Sequence, residues 1–387
     1  MQSGNDRGKR PCQMWVVYTV TKKFPSDKTM LKRYLPSKSI GSASKYAALV
    51  CFLATVSQAI NAAPPVVDRP SESALASASK YSMSQGGQTF VVMFDGKLIV
   101  EEYANGGGPD RLQMLASGSK SFVGVAAMAA VEDGIIKLDD PVHQSLAEWK
   151  DDPAKSRINY RQLLSLTSGL KASSAGFVQQ QPAWSEIAAG PMAGEPGQQF
   201  QYGANQLNVF ALALQQKLGT ETFEAYLKRR ILEPLDIQVQ WRGRCADGNP
   251  QVGGGGFITS RDWATFGEWV RLEGQSNGQQ IIAAKQLAEC FNGSKPNPAY
   301  GLTWWIKQKV PRTLVEQITV LRTEWAEVAN AEGLPDEIVA ACGAGKQRLY
   351  IIPSRKLVVV RQGAFPGRGF SDKAFLDFLL GSNINNQ

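Results

Sequence analysis

The stretch Ser117–Asp133, SGSKSFVGVAAMAAVED, reads as one helix that is apolar almost all round, and Gly134 stops it. A helix of that kind belongs inside a core. Its first residues are polar: Ser117-Gly118-Ser119-Lys120 is an S-x-x-K string. Positions i and i+3 share a helix face, so Lys120 stands one turn above Ser117 within reach of its hydroxyl. An ammonium desolvated by apolar neighbours loses basicity and can accept a proton near neutral pH. The positive end of the helix dipole favours an oxyanion forming at the serine. This is the spacing that a serine nucleophile working without histidine requires. The bland alternative is an N-cap serine beside a surface lysine.

The string occurs twice more. Ser42–Lys45 lies in the basic leader, and Ser77–Lys80 lies in a Ser/Ala-rich lead-in that opens no apolar helix. Gly274-Gln275-Ser276-Asn277-Gly278 matches G-x-S-x-G literally, but sits in a polar turn after a helix. The sole histidine, His143, precedes it instead of following it. The bland reading, a surface turn, is preferred there. His143 is expected on a surface turn outside any catalytic group.

Moving outward, Thr89–Phe94 and Lys97–Tyr103 flank Asp95-Gly96, a strong hairpin signal. After the central helix come helical patches and loops, including Asn205–Leu218 closed by Gly219 and Thr222–Leu235 near Pro234. Gly253–Gly256 precede Phe257-Ile258-Thr259, and an amphipathic helix follows over Trp263–Leu272. Strands return at Gln347–Ile352 and Lys356–Gln362, and Phe370–Leu380 closes as a helix. The order strands, helices, strands, helix predicts an α+β fold in which strands from both ends of the chain share one sheet.

Composition narrows the function. The chain has 387 residues, 43% hydrophobic and 20% charged, enough for a large core and too ordinary for wholesale disorder. The net charge of +8 is a property of the leader. The first 62 residues hold ten of the 42 Lys/Arg and two of the 34 Asp/Glu, so 32 of each remain beyond them. A formally neutral remainder gives no basic patch for nucleic acid. Tyr46–Ile60, YAALVCFLATVSQAI, is an apolar run of fifteen residues between Lys45 and the small residues Asn61-Ala62-Ala63. That is the order of a secretory signal, and the run is short for a membrane span. An uncleaved anchor, touching membrane only through this leader, is the alternative. Met30-Leu31-Lys32-Arg33 looks the more natural start, which would make residues 1–29 an upstream extension. The expected layout is therefore a leader over 1–63, a lead-in over 64–86 and the functional domain over 87–387, periplasmic or secreted. Cleavage would leave Cys245, Cys290 and Cys342, enough for one disulfide and one free thiol, with no spacing to choose the pair. No C-x-x-C occurs, and nothing asks for a metal or an organic cofactor.

Several stretches in order carry a family likeness. They are ASGSKSF at 116–122, KLDDPV at 137–142, LLSLTSGL at 163–170, the glycine run through Phe266, and YGLTWW at 300–305. Together they resemble the serine β-lactamase/D,D-peptidase superfamily, in its class C-like branch with esterases and 6-aminohexanoate-dimer hydrolases. The resemblance implies an antiparallel sheet flanked by helices, with an all-helical lobe inserted between early and late strands and the site at the lobe boundary. It implies Ser117 as nucleophile, Lys120 as base and Tyr202, in Phe200-Gln201-Tyr202-Gly203-Ala204-Asn205, as the tyrosine that shares proton transfer. The family pattern is Y-x-N and this chain has Y-x-x-N, so Asn205 stands between a substrate-binding role and a plain N-cap.

The third family box, Lys/His-Thr/Ser-Gly, is replaced by Cys342-Gly343-Ala344-Gly345-Lys346-Gln347. This looks like the "GAGGQ" form of esterase- and amidase-like relatives. Small Gly343 and Gly345 let a substrate come close to the backbone. The N–H of Ala344, with that of Ser117, is the implied oxyanion hole. The side chains that would hold a β-lactam carboxylate are missing, with Lys346 and Arg348 the candidates to replace them. Trp305, in the Trp304-Trp305 pair, is placed in the substrate site, with core packing as the alternative. The expected activity is hydrolysis of a small ester, amide or peptide-like substrate through an acyl-enzyme. A β-lactamase or D-Ala-D-Ala carboxypeptidase, and a non-catalytic binding or sensor protein on the same fold, are the alternatives.

Overall fold

A computed structural model describes residues 69–172, 180–367 and 369–381, which belong to one compact unit. The expected leader over 1–63 lies outside the described residues. The lead-in expected over 64–86 contains a helix, Glu72–Ser84, capped by the Ser71 side chain. Alanine and serine hid its apolar face: Ala74, Leu75, Ala78, Ser79 and Ser82 are buried. Ser77 and Lys80 both lie on its exposed side.

Strands β1 (Gly87–Phe94) and β2 (Lys97–Tyr103) form the expected hairpin. Asp95 and Gly96 both take positive φ (49° and 79°), which matches the twist of the paired strands. Strand β3 (Gln113–Met114) leads into the central helix. A helical lobe follows, including Tyr160–Leu164, Trp184–Ala189, Asn205–Leu218 and Phe223–Leu227. The last of these passes into a π-turn over Lys228–Leu232, where one continuous helix was expected. Strands β4 (Gln240–Trp241) and β5 (Gly256–Ile258) form a small sheet with β3. The helix Ser260–Arg271 is capped by Thr259. The G-x-S-x-G string is a surface hairpin of β6 (Gln275–Ser276) and β7 (Gln279–Gln280) around Asn277-Gly278. Strands β8 (Trp305–Ile306), β9 (Val339–Gly343), β10 (Gln347–Ile352) and β11 (Leu357–Gly363) follow.

The main sheet is antiparallel in the order β2-β1-β11-β10-β9-β8, so the first and last long strands pair directly. It is covered on both faces. Helix Ser260–Arg271 packs on β10, β11 and β1. Successive strand side chains alternate, so Tyr350 points away from Leu349. On the Tyr350 face, Phe375 of the helix Asp372–Leu380 meets Phe90 and Tyr350. Helix Glu72–Ser84 lies beside it. The result is the α+β layering the element order implied, with the helical lobe between β3 and β4. All three cysteines among the described residues are free and buried, so the disulfide considered for an exported chain is not formed.

Candidate active site

Strand β3 ends at Met114, and Leu115 N–H donates to Gly256 O (2.9 Å). The chain then turns sharply, with Ala116 in the left-handed region at φ 47°. A non-glycine residue held there stores strain, which persists only when its surroundings fix it. Ala116–Ser119 form a 3₁₀ turn, and the α-helix proper runs over Lys120–Glu132. The expected single helix is thus a 3₁₀ turn joined to an α-helix. In a 3₁₀ turn i and i+3 eclipse each other, so Ser117 and Lys120 still share a face. Buried Ser119 pins the turn by donating to Ala116 O (2.7 Å) and accepting from Gly256 N–H (3.0 Å).

Lys120 is 2% exposed, and its Nζ lies 3.0 Å from Ser117 Oγ. Its other bond goes to the Gly253 carbonyl at 2.6 Å. Burial lowers its pKa to about 7. A buried amine that is bonded to neutral oxygens keeps no strong hold on its proton. Gly253 was visible in the sequence only as part of a glycine run. A Cβ there would fall 2.7 Å from the Ala204 Cβ, so only glycine brings that carbonyl so close.

Tyr202 arrives from the segment before Asn205–Leu218. Its ring faces Lys120 Nζ, 4.8 Å from the centroid. Burial pushes its hydroxyl well above the ordinary phenol range, and an interaction with Ser117 partly offsets the push. Two separate segments therefore bring a hydroxyl, an amine and a neutral phenol together.

Gly343 ends β9 against the serine turn: a Cβ there would lie 2.0 Å from Leu115 O and 3.0 Å from Gly118 N. The turn Ala344–Lys346 follows directly, so Ala344 is one residue from that contact. Gly345 takes φ 79° within the same turn.

Other expectations are placed differently. Asn205 opens its helix, but Ala204 is the N-cap and makes no side-chain cap bond. The Asn205 amide instead donates to Lys171 O (3.0 Å), tying that segment to the helix. Trp305 is 1% exposed and packs against Tyr300 and Tyr202, with ring centroids 4.9 and 5.9 Å away. It backs the tyrosine as core packing and is not an open pocket wall. Lys346 and Arg348 offer no spare cation for a substrate carboxylate. Lys346 Nζ lies 3.4 Å from both Glu324 and Asp372, and Arg348 is paired with the same two acids. His143 sits in a 3₁₀ turn with Nδ1 3.0 Å from Ser156 O, apart from the serine cluster.

The sequence profile of the beta-lactamase family matches residues 80–362. The chain belongs to the beta-lactamase family. Within that family it is similar to a beta-lactamase of Yersinia enterocolitica, 30% identical over 169 residues, which cover 39% of this chain and 41% of that one. Its fold is similar to that of a protein described as a 6-aminohexanoate-dimer hydrolase from Bacillus anthracis. That match has a TM-score of 0.61 and 17% identity, and covers 79% of this chain and 80% of the other. It is also similar to a family VIII carboxylesterase, with a TM-score of 0.61 and 13% identity over 82% and 98% of the two chains. Beta-lactamase family membership makes the protein a serine hydrolase in general. Fold likeness at such identities does not choose the bond, which has to be argued from the site.

Proposed function

We propose that this protein cleaves an ester or amide bond of a small substrate through a covalent acyl-enzyme on Ser117. The observation that carries the reading is the buried Lys120 amine 3.0 Å from the Ser117 hydroxyl, with its pKa lowered to about 7. Neutral Lys120 takes the Oγ proton as Oγ attacks the carbonyl carbon. The tetrahedral oxyanion is held by the N–H groups of Ser117 and Ala344. The proton on Lys120 passes to the leaving oxygen or nitrogen, with Tyr202 as the shuttle. Tyr202 is the donor and not the base, because burial keeps its phenol protonated. Water then attacks the acyl carbon, the same pair removes its proton, and Ser117 is regenerated as the acid product leaves.

Lys346 and Arg348 are both neutralised by Glu324 and Asp372, so neither is free to hold the carboxylate that a β-lactam carries. This favours ester or amide substrates over β-lactams. The test is hydrolysis of a short-chain aryl ester beside a chromogenic cephalosporin. The ester is expected to turn over and the cephalosporin to turn over poorly. Ser117→Ala and Lys120→Ala are each expected to lose at least about a thousandfold on the ester. Retained activity in either variant, or a preference for the cephalosporin, would refute this reading.

The leader supports export to the periplasm or medium. Sequencing the N-terminus of protein recovered outside the cytoplasm is expected to begin near Ala63; recovery only in the cytoplasm with the leader intact would contradict export.

A further inference from the structure

Arg348, on β10, is fully buried, with 0% of its side chain exposed. Nε donates to Asp372 Oδ1 at 2.5 Å, and Nη2 to Asp372 Oδ2 at 3.1 Å and Glu324 Oε2 at 2.9 Å. Tyr350 adds a 2.6 Å bond to the same Asp372 carboxylate. Two acids thus lock the guanidinium in place, and Tyr350 fixes one of them. The remaining nitrogen, Nη1, donates to the carbonyl of Gly343 at 3.1 Å and to that of Gln347 at 3.0 Å.

The Gly343 carbonyl and the Ala344 N–H belong to one peptide group. A planar trans peptide points the two in opposite directions, so fixing one fixes the other. A cation bonded to the oxygen draws electron density toward it and leaves the N–H a stronger donor. The effect is large only where water cannot screen the charge, and Arg348 is in such a place. Only a fork that satisfies an acid on one side and a carbonyl on the other serves both ends, which lysine cannot reproduce.

We propose that Arg348 is a positioning residue for the reaction: by holding the Gly343 carbonyl it aims and polarises the Ala344 N–H toward the acyl oxygen on Ser117. The inference rests on the acyl-enzyme reading above and assigns a purpose to charges that cannot bind substrate. A second buried arginine supplies the control. Arg361 holds the same hairpin turn through Lys346 O (2.7 Å) and ties it to Gln85 O (3.0 Å) at the end of helix Glu72–Ser84; its bonds run to those carbonyls and not to that of Gly343.

The test uses the full-length enzyme acylated by a slowly released aryl ester labelled with carbon-13 at its carbonyl. Infrared difference spectra then read the acyl C=O stretch on Ser117. In Arg348→Lys the stretch is expected to move to higher frequency, with acylation slowed about tenfold or more and KM little changed. In Arg361→Lys the stretch is expected to stay at the wild-type frequency even if the protein is less stable. An unchanged stretch in Arg348→Lys, or an equal shift in both variants, would overturn the inference while leaving the acyl-enzyme reading intact. If Arg348→Lys does not fold, Arg348→Gln combined with Asp372→Asn removes the buried charges as a pair, and the same criterion applies. Wild-type protein that takes no label on Ser117 would overturn both, and so separates the two failures.

Discussion

Lys120 is the residue on which the chemistry turns, and its burial has two consequences. Activity should follow the neutral amine. The acid limb of kcat/KM is expected to rise with an apparent pKa near 7, as burial sets it. A rate profile flat from pH 5 to 9 would contradict this. The second consequence concerns stability. The amine titrates near 7 when folded and near 10.5 when unfolded. Between those values the unfolded chain binds more protons, so stability rises with pH, and at or below pH 7 the penalty is complete. Lys120→Met should therefore be inactive yet more stable than wild type at pH 6, on the order of a few kcal/mol. That gap should shrink as pH is raised toward 10, and thermal denaturation at several pH values would read it. A variant less stable than wild type at pH 6 would show that the bonds to Ser117 and Gly253 outweigh desolvation. The Ser117–Lys120 relation was legible in the sequence because i and i+3 is local. The Gly253 carbonyl was not, because a backbone acceptor leaves no side-chain signature. Lys346 and Arg348 read as cations, but a sequence does not state that Glu324 and Asp372 come back to neutralise them.

Among the elements, the hairpins and long helices were readable because turn and cap residues announce them. Asp95-Gly96 and Gly219 fall where expected. The helix Glu72–Ser84 was hidden by small residues whose burial depends on partners far along the chain. The contact of β9 with the serine turn was also illegible, since it depends on backbone meeting backbone. It makes a sharp prediction. Gly343→Ala would place a methyl 2.0 Å from Leu115 O, so either the strand or the serine turn has to move. A displacement of about 1 Å at reacting groups can cost about a hundredfold in rate. That loss of kcat/KM on an aryl ester is expected, with a lower Tm. Wild-type kinetics in Gly343→Ala would show that the contact does not position the site.

At the scale of the whole molecule, the sheet joins both ends of the described chain, with β1 paired to β11. The helical lobe is held between them in sequence, and the fold brings residues 117, 202, 253 and 343 to one place although they are far apart in the chain. Tyr202 could be singled out only by family resemblance, because no local spacing links it to Ser117. The same topology makes the first helix part of the domain. Leu75 and Ala78 are in the core, and Tyr81 packs on Phe370 and Phe378 at 5.6 and 5.4 Å. A chain shortened to begin at Gly87 is expected to lose about 3 kcal/mol in urea denaturation, from the buried leucine and the half-buried tyrosine. Unchanged stability after that truncation would mark the segment as an appendage.

The most direct test of the central claim is covalent. The purified protein is mixed with an activated aryl ester, quenched within its first turnovers and mapped by peptide mass spectrometry. One acyl group on Ser117 is expected in wild type, and none in Lys120→Met. An acyl group on another residue, or label on Ser117 that forms equally well without Lys120, would contradict the account.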